Sequence, residues 1–123
     1  MSPLILVVDD DPMVQGVTRR MLQLAGYDCL TADTAIDALT HLKHGRIPEL
    51  AILDVRLPDL PGTKLALRIH QAHPRMPVLF MSGWTGETID PDHLAALRWE
   101  FLQKPFTKDT LLPLVERLLT EKE

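Results

Sequence analysis

The feature that most constrains the fold is the apolar run Leu4–Val8, which ends abruptly in three aspartates. A run of this length with no polar residue inside it is typical of a strand that is buried on both faces. Such strands belong to parallel sheets, in which helices cover both faces and connect one strand to the next. The opening of the chain therefore predicts an α/β fold.

Similar apolar runs recur along the chain and alternate with longer amphipathic stretches. Further strands are predicted at residues 29–31, 50–53, 78–81 and 101–102. Helical spacing and helix-start signals predict helices at about residues 12–25, 34–44, 65–73, 90–97 and 107–119. Five strand–helix units of this kind predict one domain over residues 1–123, with an α/β, doubly wound fold around a five-stranded parallel sheet.

Composition narrows the classes of protein that the chain can represent. The 123 residues carry a net charge of -4, so a basic nucleic-acid-binding surface is not expected. The single cysteine, Cys29, has no partner for a disulfide and reads as an ordinary core residue. No apolar run approaches the roughly 20 residues that a membrane helix needs. We therefore expect a cytoplasmic protein that contacts neither nucleic acid nor a membrane directly.

Polar residues cluster where the predicted strands end. They are Asp9, Asp10 and Asp11 after the first strand, Asp54 after the third, Ser82 after the fourth and Lys104 after the fifth. Because parallel sheets place their sites at the carboxyl ends of the strands, we expect these side chains to share one crevice. Acidic residues also cap helix N-termini, and we expect Asp11 to have that simpler role.

The chemistry of this set is specific. Carboxylates that share a crevice repel one another, so they hold a proton or bind a cation. Oxygen ligands of this kind suit Mg²⁺, which one or two carboxylates often hold together with phosphate. A lysine and a serine hydroxyl add donors for an anion. Together these groups describe a phosphoryl-transfer site in which a carboxylate is the nucleophile.

Four segments carry a resemblance to a known family. They are ILVVDDD at 5–11, ILDVRLPDLPG at 52–62, VLFMSG at 78–83 and FLQKPF at 101–106. In this order and spacing, over essentially the whole chain, they resemble a response-regulator receiver domain of two-component signalling, of the CheY-like superfamily. The resemblance implies a flavodoxin-like (βα)5 receiver fold with strand order 2-1-3-4-5.

The resemblance also implies roles for the residues at the strand ends. Asp54 would accept a phosphoryl group from a phosphohistidine, so the chain would be a phosphoprotein. The Mg²⁺ ion would be held by Asp9, Asp10, Asp54 and the backbone carbonyl of Arg56. Lys104 would pair with the phosphoryl oxygens, and the Lys104–Pro105 peptide bond would be cis.

A switch is implied as well. Ser82 would hydrogen-bond the phosphoryl group, and the ring of Phe101 would fill the space that Ser82 vacates, although Phe101 could equally be a simple core residue. The affected surface would comprise the fourth helix, the fifth strand and the fifth helix, which would control an output partner. The donor would be a sensor histidine kinase or a histidine phosphotransfer protein. The chain would be a monomer or a weak homodimer, and at most it would catalyse its own phosphorylation and dephosphorylation.

Several positions depart from the family pattern. Pro61 replaces a small polar residue, and Phe101 lacks the hydroxyl of the commoner tyrosine. Leu97-Arg98 stand where a Gly-Ala step is common. Arg56 and Trp84 are expected to flank the path of an attacking water and to set the lifetime of the phosphate. A helix that starts at Asp90-Pro91 should be short, which weakens the case for a dimer through that face.

Other classes of protein remain alternatives at this point. A haloacid-dehalogenase-type phosphatase also uses a strand-end aspartate with Mg²⁺, but it needs a second acid where this chain has Arg56. A scaffold that has lost its chemistry would not need Asp9, Asp10, Asp54, Ser82 and Lys104 together. Within the receiver class, the chain could be a stand-alone protein or part of a larger regulator or hybrid kinase.

Overall fold

A computed structural model describes residues 2–83, 89 and 91–120, and its five strands form one parallel sheet. The strands are β1 (Leu4–Val8), β2 (Asp28–Ala32), β3 (Leu50–Asp54), β4 (Val78–Ser82) and β5 (Trp99–Gln103). Their order across the sheet is β2-β1-β3-β4-β5. The helices in the described residues are α1 (Pro12–Leu24), α2 (Ala35–Leu42), α3 (Gly62–Ala72) and α4 (Lys108–Thr120). The predicted fold class and strand order are confirmed.

Helices cover both faces of the sheet, which explains why its central strands are apolar throughout. Leu6 and Val8 of β1 pack in the cluster that α2 and α3 cover, whereas Ile5 and Val7 pack in the cluster that α1 and α4 cover. All five residues of β1 are buried. Burial of an aliphatic side chain of this size contributes about 1.5–3 kcal/mol, so both faces of β1 stabilise the fold.

Side chains outside the helices satisfy the first backbone N–H groups of α1 and α2. Asp11 Oδ1 accepts hydrogen bonds from the N–H groups of Met13 at 2.9 Å and Val14 at 3.4 Å. Thr34 Oγ1 accepts from the N–H of Asp37 at 3.0 Å. The predicted caps Asp11 and Thr34 are therefore confirmed.

No helix among the described residues combines the length and the apolar character that crossing a membrane requires.

The predicted helix over residues 90–97 is wrong for the residues that the structure describes. Residues 91–96 form turns, and Asp90 lies outside the described residues. The N–H of Leu94 donates to the carbonyl of Pro91, and the N–H of Leu97 donates to the carbonyl of Leu94. Both bonds span three residues, as in turns. So short a segment cannot offset the cost of helix nucleation, and burial of Leu94 and Leu97 in the core holds it instead.

The connections place a crevice at the carboxyl ends of β1 and β3. These strands are neighbours, but the chain leaves β1 toward β2 on one side and continues from β3 to β4 on the other. Such a switch in direction opens space between the loops that follow the two strands, and ligands of doubly wound sheets bind there.

Candidate functional site

Three aspartates meet in the crevice between β1 and β3. Asp9 and Asp10 follow β1, Asp54 ends β3, and one carboxylate oxygen from each lies within 4.8 Å of the others. Asp9 and Asp54 are buried, whereas Asp10 is exposed. Two like charges at about 4 Å repel each other by about 4 kcal/mol at an effective dielectric constant near 20. The cluster therefore requires positive charge beside it.

Lys104 supplies part of that charge. Its Nζ lies 2.8 Å from Asp9 Oδ2 and 3.0 Å from Asp54 Oδ2, and its side chain is 16% exposed. The backbone holds Lys104 in place, because its N–H donates to the carbonyl of Ser82 at 2.8 Å. The Lys104–Pro105 peptide bond is cis. The ammonium group thus joins the ends of β1, β3 and β5.

Burial and ion pairing act against each other at this contact. Burial raises the pKa of Asp9, although Lys104 and the N–H of Asp11 both act to lower it. Burial also acts to lower the pKa of Lys104, but the hydrogen bonds to Asp9 and Asp54 outweigh it, so the pKa of Lys104 is raised. The lysine therefore stays protonated at neutral pH and remains available to an anion.

The donor set fits a divalent cation. Three carboxylates and one ammonium group leave two negative charges uncompensated. Asp9 Oδ2 is buried and, apart from its ion pair with Lys104, accepts no hydrogen bond of good geometry from the described residues. Carboxylate oxygens that converge in this way, one of them exposed to water, suit Mg²⁺. The backbone N–H of Arg56 donates to Asp54 Oδ1 at 3.1 Å, which brings the Arg56 backbone beside the cluster.

The two predicted switch residues lie on neighbouring strands. Ser82 ends β4 and is 1% exposed, next to Met81, which pairs with Asp54 across the sheet. Phe101 lies on β5, where it pairs with Phe80 of β4, and the residue is 39% exposed. The alternative in which Phe101 is a simple core residue is therefore wrong. Trp84 and residues 85–88 lie outside the described residues.

Gly62 is a residue whose role the sequence did not reveal. It begins α3, and its N–H donates to the carbonyl of Val55 at 2.8 Å, so the loop returns onto the strand it left. A Cβ atom at this position would lie 2.1 Å from the backbone oxygen of Asp54. Only glycine allows this approach, and the absence of a side chain here lets the loop close directly behind Asp54.

Gln15 is a second such residue. Its Nε2 lies 3.0 Å from the carbonyl oxygen of Asp9, 3.1 Å from that of Ala32 and 2.8 Å from Asp33 Oδ1. One amide group thus joins the ends of β1 and β2 beside the acidic cluster. In the sequence Gln15 is one polar residue on an amphipathic helix, and its distant acceptors leave no local signal.

Replacing Gln15 with glutamate should destabilise the fold at neutral pH by about 1–3 kcal/mol or more, because a carboxylate would face three oxygen acceptors. Protonation would restore one donor, so the loss should shrink at mildly acidic pH. Urea unfolding of Gln15→Glu at both pH values measures this effect. Gln15→Met, which has similar shape and no charge, is the matched control. Wild-type stability of both variants at neutral pH would contradict the role of the amide.

The doubly wound sheet, with an acidic and lysine-containing crevice at its switch point, defines the chain as a flavodoxin-like α/β protein. The model of the response regulator receiver domain family matches residues 5–116. The chain therefore belongs to the family of response regulator receiver domains, and its general role is that of a receiver domain in two-component signalling.

Relatives and solved structures agree with this assignment. The chain is 31% identical over 117 residues to the DNA-binding transcriptional regulator NtrC of Escherichia coli (strain K12), covering 95% of this chain and 25% of that protein. It is 34% identical over 117 residues to the nitrogen assimilation regulatory protein NtrX of Azorhizobium caulinodans, covering 94% and 26%. The crystal structure of the receiver domain of NtrX from Brucella abortus superposes with a TM-score of 0.86 at 32% identity, covering 95% of this chain and 99% of that one. The chain thus spans about a quarter of the length of the curated relatives.

Proposed function

We propose that Asp54 accepts a phosphoryl group from a phosphohistidine and that the phosphorylated domain controls an output partner. The observation that carries this proposal is the position of Lys104, whose Nζ contacts both Asp9 and Asp54. A lysine that only balanced charge could pair with one carboxylate at the surface. This one is held where it can pair with an anion attached to Asp54.

The chemistry that we propose is an in-line displacement. A carboxylate oxygen of Asp54 attacks the phosphorus, the bond from phosphorus to the histidine nitrogen breaks, and the released imidazole takes up a proton. Lys104 shifts from the carboxylates to the new phosphoryl oxygens, and the Ser82 hydroxyl donates to another of them. Asp9, Asp10, Asp54 and the Arg56 carbonyl would hold Mg²⁺. When bound, this ion would neutralise charge that develops on the transferred group.

The output is proposed to follow from Ser82 and Phe101. Movement of Ser82 toward the phosphoryl group would vacate space beside β5, and the exposed ring of Phe101 would turn into it. This is a two-state packing change biased by local charge. The surface that responds would consist of the turns at 91–97, β5 and α4, which replaces the predicted surface of two helices and a strand.

The partners that we propose are a sensor histidine kinase or a histidine phosphotransfer protein as donor, and an output domain or protein as receiver of the signal. Residues 1–123 would form one receiver domain without classical enzymatic activity. Arg56, exposed beside Asp54, stands where a haloacid-dehalogenase-type phosphatase needs its second acid, and the family assignment also contradicts that alternative.

Locating the added phosphate tests the proposal. The protein is incubated with Mg²⁺ and a small acyl-phosphate donor, the product is reduced with borohydride, and the peptides are analysed by mass spectrometry. Borohydride converts a phosphorylated aspartate to homoserine and so records the acceptor before the phosphate is lost. We expect homoserine at position 54 and none in a sample treated with a chelator. An unmodified Asp54 in the Mg²⁺ sample would refute the proposal and favour a scaffold without this chemistry.

A further inference from the structure

Asp59 connects the loop after β3 to the N-terminus of α2. Its Oδ1 accepts a hydrogen bond from the N–H of Ala35, and its Oδ2 accepts one from the N–H of Ile36, both at 2.9 Å. These hydrogen bonds, that from Ile36 first, hold the pKa of Asp59 below its ordinary value. One exposed carboxylate therefore satisfies the first two donors of a helix that lies 23 and 24 residues away in the chain.

The helix does not depend on Asp59 for its local cap. Thr34 precedes α2 directly and accepts the N–H of Asp37, as an N-cap residue normally does. Asp59 adds contacts from a different element, so its bonds fix the position of one element relative to another. What Asp59 holds is the segment between Asp54 and Gly62.

Backbone hydrogen bonds fix the two ends of this segment where they meet. At the base, the N–H of Val55 donates to the carbonyl of Met81 at 2.9 Å, and the N–H of Gly62 donates to the carbonyl of Val55 at 2.8 Å. Beyond the base, the N–H of Arg56 donates to Asp54 Oδ1 at 3.1 Å, and Leu57 and Leu60 pack against the core. The two hydrogen bonds that Asp59 accepts from Ala35 and Ile36 fix the orientation of the far end of the segment. Arg56 lies between the base and this second anchor.

We propose that Asp59 is a positioning residue for the metal site, because it holds the 55–61 segment in the conformation that presents the Arg56 carbonyl to the cation. This inference rests on the proposed function, in which that carbonyl is a ligand. Asp59 itself contacts neither the cation nor the phosphoryl group. Loss of groups that orient metal ligands typically weakens metal affinity about 10–100-fold. Asp59 acts through the backbone of a segment that also packs apolar side chains, so we expect a weakening of about three- to tenfold, at or below the lower end of that range.

The test compares Asp59→Ala with Thr34→Ala. Both substitutions remove a side chain that caps α2, but only the first releases the 55–61 segment. Mg²⁺ affinity of the folded, unphosphorylated protein is measured by isothermal titration calorimetry well below the unfolding temperature. We expect weaker binding for Asp59→Ala and wild-type affinity for Thr34→Ala. Amide exchange followed by NMR should show faster exchange at Ala35 and Ile36 in the first variant and at Asp37 in the second.

Asp59→Asn separates position from charge. This variant keeps a side-chain oxygen that can accept from α2 but loses the negative charge, so it should bind Mg²⁺ more tightly than Asp59→Ala. If the two variants lose affinity equally, and the loss shrinks at high salt, Asp59 acts as a distant charge and the inference is overturned. If wild type and Asp59→Ala bind Mg²⁺ equally well, the inference fails and the proposed function stands. If wild type binds no Mg²⁺, both fail.

Discussion

Replacing Gly62 with alanine is expected to lower the free energy of unfolding by about 1–3 kcal/mol or more, since it adds a methyl group where there is no space for one. The new Cβ would lie 2.1 Å from the Asp54 carbonyl oxygen, 3.0 Å from its carbon and 3.1 Å from the Cα of Val55. All three atoms belong to the backbone, so no side chain can turn away to relieve the contact. Either α3 or the end of β3 must shift, and a shift of β3 moves the carboxylate of Asp54.

Two measurements check this expectation. Urea unfolding should show the loss of stability, and the rate of phosphorylation by a small acyl-phosphate donor should fall in the fraction that remains folded. Gly16→Ala is the matched control, because Gly16 lies inside α1, and apart from its chain neighbours and the backbone of that helix no atom lies within 4 Å of an added Cβ. That substitution should stabilise the protein by about 0.5–1 kcal/mol. A Gly62→Ala variant as stable as wild type would contradict this expectation, because it would show that the backbone at Asp54 can shift without a cost in free energy.

The parts of this molecule that could be predicted from sequence are those with local signals. Apolar runs mark the strands, and Asp9, Asp54 and Lys104 were found because each stands at the end of such a run. The topology of a parallel sheet then brings them to one edge. The site residues follow from local pattern and topology together, and their roles follow from family resemblance.

The parts that could not be predicted depend on contacts between distant segments. Asp59 reads as an acidic residue in a loop between two prolines, and its bonds to Ala35 and Ile36 exist only in the folded chain. The prediction of a helix before β5 was wrong for a related reason. Its helix-start signal at Asp90-Pro91 is real, but burial of Leu94 and Leu97 decided its conformation. Tertiary packing overrides so short a local preference.

Replacing Lys104 with methionine should slow phosphorylation of Asp54 by about 10²–10³-fold, the usual cost of removing one donor to developing charge in a transition state. Methionine keeps an apolar stem of similar length but removes the ammonium group from between Asp9 and Asp54. Initial rates with a small acyl-phosphate donor and saturating Mg²⁺ measure the effect. Lys108→Met, the same change at an exposed lysine that begins α4, should leave the rate unchanged. Equal rates for wild type and Lys104→Met would mean that Lys104 serves the fold alone.

The pH dependence of stability shows how much the ion pair of Lys104 contributes to the free energy of unfolding. The pKa of Lys104 is raised above its ordinary 10.5, so its contribution is complete below that pH and is lost as the pH rises through the folded-state pKa. The stability difference between wild type and Lys104→Met should therefore shrink in strongly alkaline solution. It should also shrink in acid, because protonation of Asp9, whose pKa is raised by burial, removes a charge that Lys104 pairs with. Urea unfolding of both proteins across this range should give a difference that is largest near neutral pH. A difference independent of pH would show that lost packing, and not the ion pair, accounts for the change.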